Sequence, residues 1–345
     1  MKKNIDINKT GTIILGPKVV ADGYEKGYPY RIQTHVHHDH LVDFGLSLGR
    51  SKKIFISEST LDLYSVIRKD PTVHFRKNVG GNVKIINQNQ TYENDQFEIS
   101  FLDSSHILGS IQCSVEYKNG LKVGYSGDFS WPLEEVIEVD ELVIDSTYGS
   151  PNATRDYSQD DAQNYLIELI QKNKSINPII IMGHRGTIHR MMQLVSNHYP
   201  KLPILLNKRY LNEVKIFNKY HYSINKYIDI FSNEGIYIKN TLKEYIQFLT
   251  PFDALPTYPT DFTFIHLSGF LSRNGIFYEQ DRKNEYTISI TDHADHNGII
   301  EFVEKSGAKF VLTDPTRSNY ENAIKLAKSI TQRLGVKSEP AIINY

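Results

Sequence analysis

The sequence predicts an α/β fold with a second α/β segment inserted into it. Short apolar runs alternate with stretches of helical spacing, which suits a sheet with helices packed outside it. Several of these runs end in an acid or a histidine, where a strand exit would present it. Residues 156–285 change character. Expected boundaries are therefore 1–155 and 286–345 for the outer domain and 156–285 for the insert.

Residues 10–34 read as short strands and tight turns. Thr12-Ile13-Ile14-Leu15 and Val19-Val20-Ala21 stand between Gly and Pro punctuation. Asp22 either ends a strand near a site or is a turn residue before Gly23. His35-Val36-His37-His38-Asp39-His40 then places four of the chain's 13 histidines in six positions. Imidazole nitrogens suit Zn²⁺, and a carboxylate oxygen suits Zn²⁺ or Mn²⁺. His35 and His37 are two apart and point the same way in extended chain. Asp39 and His40 are offset and can point at a second spot, so one segment can feed two ions held close together. A helix start over 41–49, a strand over 53–57, a helix over 58–67 and strands over 83–86 and 96–102 follow. His106 leaves the last of these strands among small residues (Ser104, Ser105, Gly109, Ser110) and is read as a further ligand. Residues 121–128 form a strand ending in Gly127-Asp128, where a carboxylate can bridge two cations. Residues 141–149 form another strand ending in an acid, Asp145-Ser146-Thr147-Tyr148-Gly149.

In the insert, residues 156–172 have helical spacing, 178–183 form an apolar strand, and 184–190 open a helix running to 195. Helix N-termini bind anions, so His184, Arg185, His189 and Arg190 either contact phosphate or form a solvated helix start. A strand over 202–206 precedes a helix over 210–227, whose lysines read as a solvated face. A strand over 262–267 leads into a loop carrying Ser268 and Arg273. After the apolar run at 288–290 come Thr291-Asp292-His293-Ala294-Asp295-His296 and a helix over 297–305. Helix capping explains the acids but not His293. The strand over 309–313 ends in Asp314-Pro315. Asp314 either offers an oxygen to a second ion or starts a turn. A helix over 319–334 and a strand over 339–345 close the chain.

His35-X-His37-X-Asp39-His40, the Gly- and Ser-flanked His106 and Ser126-Gly127-Asp128 together resemble the metallo-β-lactamase superfamily. Asp145-Ser-Thr-Tyr-Gly149 and the stretch around His293 resemble motifs of its β-CASP nuclease branch. The resemblance implies an αββα metallo-β-lactamase sandwich with an inserted α/β β-CASP domain. It implies two divalent metal ions, zinc, with manganese as the alternative. His35, His37 and His106 would hold one ion; Asp39, His40 and, if it ligates, Asp314 would hold the other, with Asp128 bridging. Asp39, Asp145 and His293 are the implied catalytic residues, His293 facing the scissile phosphate and oriented by Asp145. Gly183-His184-Arg185 resembles the branch's Gly-Arg turn, and the loop at 268–275 its Ser/Gly-rich loop. His184, Arg185, Arg190, Ser268 and Arg273 are thus candidate nucleic-acid contacts. The last strand departs from the branch: RNA-cleaving members end it in His, DNA-processing members carry an apolar residue there, and this chain has Asp314.

The implied function is a metal-dependent nuclease hydrolysing single-stranded RNA in processing or degradation, like an mRNA 3'-end-processing factor. The alternatives are a DNA exonuclease of the ligase-associated or crosslink-repair type, a small-molecule thioester or lactam hydrolase, and a catalytically dead subunit. Composition narrows the partners. The formal net charge of −1 means that any nucleic-acid contact must come from a local basic patch. The single Cys113 excludes an internal disulfide and fits a reducing cytoplasm, the expected compartment. No run approaches the ~20 apolar residues of a membrane span, and no apolar stretch follows the N-terminal lysines, so neither a membrane partner nor a signal peptide is expected. A homodimer is compatible with the sequence.

Overall fold

The computed structural model describes residues 3–69, 81–242, 244–253, 261–269, 275–279 and 284–343. The fold is mixed α/β, and the chain divides into two compact units: Met1–Thr154 with His293–Tyr345, and Arg155–Asp292.

The first unit holds two sheets. One runs β1 (Ile5–Ile7), β2 (Ile13–Leu15), β3 (Val19–Ala21), β4 (Tyr30–Ile32), β5 (Lys53–Ser57), β6 (Val83–Ile86) in spatial as in chain order. Its first two pairings are antiparallel and the rest parallel. In the other sheet, β7 (Gln90–Glu93), β8 (Phe97–Asp103), β9 (Ile111–Tyr117) and β10 (Lys122–Tyr125) form an antiparallel meander. Three parallel neighbours follow, β11 (Glu141–Ile144), β19 (Phe310–Thr313) and β20 (Lys337–Pro340).

Period-2 alternation fixes which side chains face inward. Phe97, Ile99 and Phe101 of β8 and Ile111, Cys113 and Val115 of β9 share one core cluster with Ile5, Ile13, Ile32 and Phe55 of the first sheet. The opposite face of the second sheet contributes Leu142, Ile144 and Val311 to a separate cluster, completed by helices near the end of the chain. β11 is therefore covered on both faces, which is why Leu142-Val143-Ile144 is unbroken apolar sequence instead of an alternation.

α1 (Phe44–Arg50) and α2 (Glu58–Ile67) flank β5 in sequence, and Ser57 caps α2 by accepting the Thr60 N–H at 3.2 Å. The second unit's sheet has the order β14-β13-β15-β12-β16-β18-β17. Its strands are β12 (Ile179–Met182), β13 (Ile204–Leu206), β14 (Tyr227–Asp229), β15 (Ile246–Leu249), β16 (Thr263–Leu267), β17 (Phe277–Glu279) and β18 (Glu285–Ile288). All pairings are parallel except β17 with β18. The helices between these strands are α3 (Gln159–Asn173), entered through a Ser158–Asp161 capping box, α4 (Thr187–His198), α5 (Lys208–Lys219) and α6 (Asn233–Thr241). The helices of the returning chain are α7 (His296–Ser306) and α8 (Tyr320–Leu334), and they bring Ile299, Phe302, Leu326 and Ile330 to the outer cluster of the first unit. Among the described residues, no helix is long and apolar enough to cross a membrane.

One predicted helix is cut short. The helix expected over 210–227 ends at Lys219, because His221 takes a left-handed φ of 71° and the Asn218 side chain ties the turn to the N–H and carbonyl of Ile224. Tyr227 then starts β14.

Candidate metal centre

The centre forms where several strands of the first unit end. β4 delivers Gln33, Thr34 and His35 in extended chain. His38–His40 then close a short 3₁₀ turn that leaves His38 and Asp39 exposed and His40 buried. β8 delivers His106. Its loop is fastened by the Ser110 hydroxyl, which accepts the N–H groups of His106 and Ile107. The Gly109 carbonyl accepts hydroxyl hydrogens from Ser57 (2.8 Å) and Thr60 (3.1 Å) at the start of α2. Gly109 has φ 82°, and a Cβ there would lie 2.2 Å from Ser59 Oγ, so only glycine fits. β10 delivers Asp128 through Gly127, whose φ of 56° and close approach to the Ile111 carbonyl exclude a side chain.

The structure brings four of these candidate donors together. One ligand atom from each of His35, His37, His106 and Asp128 lies within 4.8 Å of all the others. His106 Nε2 is 3.0 Å from His37 Nδ1, and both His35 Nε2 and His106 Nε2 are 3.6 Å from Asp128 Oδ2. Tetrahedral ligands at zinc–nitrogen distances stand about 3.4 Å apart, so this set fits a divalent ion. One buried nitrogen that faces Asp128, His35 Nε2, has no hydrogen-bond partner. Such an orphan is costly unless an ion satisfies it. Burial, with His40 next to it, pushes the His35 pKa well below its ordinary value. Burial works the other way on Asp128, but His40 and neighbouring imidazoles hold its carboxylate well below the usual range. A neutral imidazole and an ionised carboxylate are the forms that bind metal.

His40 and Asp39 sit to one side. His40 Nε2 is 3.2 Å from Asp128 Oδ1 and 3.8 Å from Asp39 Oδ2. Burial opposes the His40 charge, but Asp128, Asp39 and Asp22 outweigh it and the imidazole is pushed up to about 10. Asp22 is fully buried, and of the two alternatives for it the structure places it beside the centre. Its Oδ2 meets His40 Nδ1 at 2.7 Å and accepts the Thr34 hydroxyl at 2.5 Å, while Oδ1 accepts the Thr34 N–H and Gln33 Nε2. That contact orients the ring so that His40 Nε2 faces Asp128. Gln33 also donates to the carbonyls of His35 and His40, and buried Arg31 donates to Gln33 and to the His40 carbonyl. Burial above all brings Arg31 down to about 10. Sequence reasoning took Arg31, Gln33 and Thr34 only for a strand exit. The one available signal was three polar residues directly before a ligand motif.

Asp145 ends β11, parallel to and beside β10. Its Oδ1 accepts the Thr147 N–H and hydroxyl, and its Oδ2 lies 3.0 Å from His293 Nδ1. His293 therefore aims Nε2 back at the centre, 3.9 Å from Asp128 Oδ2, with its ring 4.6 Å from that of His106. Asp314 ends β19, the next parallel strand, but its carboxylate is engaged elsewhere. Oδ1 accepts the Thr316 N–H (2.7 Å) and hydroxyl (2.5 Å), and Oδ2 pairs with Arg317 Nη1 at 2.8 Å.

In the second unit, His184 is exposed and Arg190 and Ser268 are partly buried. Arg273 lies outside the described residues. Arg185, expected to meet phosphate, instead makes a two-pronged ion pair with buried Glu213, at 2.8 and 3.2 Å. Burial raises the Glu213 carboxyl, and Arg185 draws it back. His189 Nε2 is 3.4 Å from the same carboxylate, with its ring stacked on Phe217 at 4.1 Å. Arg185→Ala strands a buried acid and is expected to lower stability by about 3 kcal/mol. Urea unfolding measures this. An unchanged midpoint would return Arg185 to the role of a free phosphate contact.

No protein-family model matches the chain. Two relatives align with parts of it. An "RNase J-like protein" of Methanocaldococcus jannaschii is 28% identical over 192 residues, 49% of this chain and 43% of that protein, so the aligned part spans less than half of that relative's length. An "Uncharacterized protein in lig 3'region" of Acidianus ambivalens is 25% identical over 125 residues, 36% of this chain and 89% of that protein. A crystal structure of a protein of unknown function from Enterococcus faecalis V583 shares the fold, with a TM-score of 0.61 at 12% identity, over 93% of this chain and 82% of that one.

Proposed function

We propose that the protein is a metal-dependent nuclease of the β-CASP branch of the metallo-β-lactamase superfamily, hydrolysing phosphodiester bonds of single-stranded RNA. One observation carries the proposal. His35, His37, His106 and Asp128 close on one point, and a carboxylate-oriented imidazole, Asp145–His293, faces the same point. The two face-packed sheets agree with the αββα sandwich of that superfamily, and the unit Arg155–Asp292 takes the place of the β-CASP insert. The partial likeness to an RNase J-like protein supports a nucleic-acid substrate.

A bound divalent ion, zinc or manganese, supplies Lewis acidity and an activated water. The protein's own groups do the rest. His35, His37 and His106 present neutral nitrogens, and Asp128 presents a negative oxygen. Asp22 holds the His40 ring in one orientation. Asp145 holds His293 so that Nε2 hydrogen-bonds the phosphate or hands a proton to the leaving oxygen. A DNA substrate is the second reading, favoured by the final strand, which carries Asp314 where RNA-cleaving members carry His.

The test uses purified full chain with end-labelled single strands of RNA and DNA of one sequence. Cleavage of RNA at least about tenfold faster than DNA is expected, abolished by EDTA and restored by zinc or manganese. DNA cut faster moves the assignment to the second reading. Metal-loaded protein that cuts neither strand but hydrolyses a thioester would overturn it.

A further inference from the structure

β4 lies between two parallel neighbours, where buried strands ordinarily read as unbroken apolar sequence. Ile32 follows that rule and joins the core cluster. Arg31 and Gln33, which alternate with it, are fully buried and polar. Taking a guanidinium and an amide out of water is unfavourable unless each finds partners. The partners they find lie at one place, the base of the loop that carries the histidine cluster.

Arg31 Nη2 donates to Gln33 Oε1 at 2.6 Å. This turns Nε2 of the same amide toward three oxygens: the His35 carbonyl at 2.7 Å, the His40 carbonyl at 3.0 Å and Asp22 Oδ1 at 3.1 Å. An amide turned the other way would set oxygen against oxygen at all three, so only one orientation is open to it. Arg31 is itself held by the Val42 carbonyl at 2.8 Å and the Ser47 hydroxyl at 3.0 Å, and it reaches the His40 carbonyl at 3.2 Å. Residues 36–39 stand between the two gripped carbonyls, with His38 and Asp39 exposed. His40 is held twice, at its carbonyl by Gln33 and Arg31 and at its ring by Asp22. Its ring packs on that of His35 with 3.9 Å between centroids.

We propose that Gln33 is the positioning residue of this centre: its amide, turned one way by Arg31, ties the two ends of the 35–40 loop together and sets the spacing of His35, His37 and His40 ahead of any ion. This rests on the metal-dependent reading above. The Gln33 oxygen is taken by Arg31 and an amide nitrogen carries no free lone pair for a metal, so Gln33 acts only through the backbone of the residues that face the ion. Groups that orient metal ligands from behind weigh on affinity nearly as the ligands do.

The experiment measures zinc affinity of the full chain by competition with a chromophoric chelator, and the urea midpoint of the same protein without metal. Gln33→Glu keeps the length and the Arg31 contact but sets a carboxylate oxygen against the three acceptors. Gln33→Met keeps the length and makes neither contact. Both are expected to bind zinc about 10–100-fold more weakly than wild type. Tyr117→Phe is the control. It removes another buried tie, the 2.6 Å bond from the Tyr117 hydroxyl to the Leu15 carbonyl, at the far end of β9 from the centre. It is expected to lower the urea midpoint and to leave zinc affinity within about twofold of wild type, because it orients no ligand. A merely structural Gln33 would behave as this control does. Folded Gln33→Met or Gln33→Glu that binds zinc within about twofold of wild type would overturn the positioning role and leave the nuclease reading standing. So would a Tyr117→Phe protein that loses as much affinity as they do. Should neither Gln33 variant fold, Arg31→Lys decides: it leaves Gln33 in place, cannot span the same acceptors, and must weaken zinc binding for the proposal to survive. No zinc bound by wild type would remove the metal-dependent reading itself.

Discussion

His37→Ala is expected to release the resident metal and to lower the rate of strand cleavage by at least about 10³-fold, the ~4 kcal/mol scale of a Lewis acid's contribution. His37 is the best position for this test because it is only half-buried, whereas His35 and His106 are buried. Removing its ring opens no core cavity, so the loss can be assigned to chemistry. Metal content and single-turnover cleavage, measured on one preparation whose circular dichroism matches wild type, decide the matter. A variant that keeps its metal and its rate would exclude His37 from the ligand set.

His293→Ala is expected to act at a different level. Its Nε2 stands 3.9 Å from Asp128 Oδ2, and its Nδ1 is paired with Asp145. Losing a positioned proton-transfer group costs about 10²–10⁴-fold in rate. Zinc content should be unchanged, since four other residues supply the donors. Asp145→Asn keeps the size and loses the charge, and should fall between wild type and His293→Ala. If His293→Ala loses its metal together with its rate, the imidazole is a ligand and the division of labour drawn here is wrong.

The candidate donor cluster was legible because its pattern is local. Four histidines in six positions announce themselves, and His106 and Asp128 stand at strand exits among small residues. The network behind them was not legible. Asp22, Gln33 and Arg31 are buried polar groups whose partners include Thr34, His40, backbone carbonyls and one another, and hydropathy periodicity carries no trace of such contacts. Asp22 could be read equally as a turn residue because it stands before Gly23, and its φ of 51° is a conformation that turns also use. Asp314 could be read two ways for a related reason: a strand-end acid looks the same whether it turns inward to an ion or sideways to Arg317 three residues on. Among the elements, β7 escaped notice because an edge strand such as Gln90–Glu93, largely exposed, has no buried face to imprint an alternation. The overlong helix at 210–227 shows the converse. Helical spacing persisted past Lys219, and only the left-handed backbone at His221 ended it.

The tethering of Gly109 to Ser57 and Thr60 has a kinetic consequence. The loop that presents His106 is stapled to the first turn of a helix from the opposite sheet, so the conformational freedom it would otherwise lose on taking up an ion is already spent when the polypeptide folds. Under the metal-dependent reading, capture is then expected to be paced by how quickly an aquo ion sheds its own hydration shell, and selectivity to follow ionic radius.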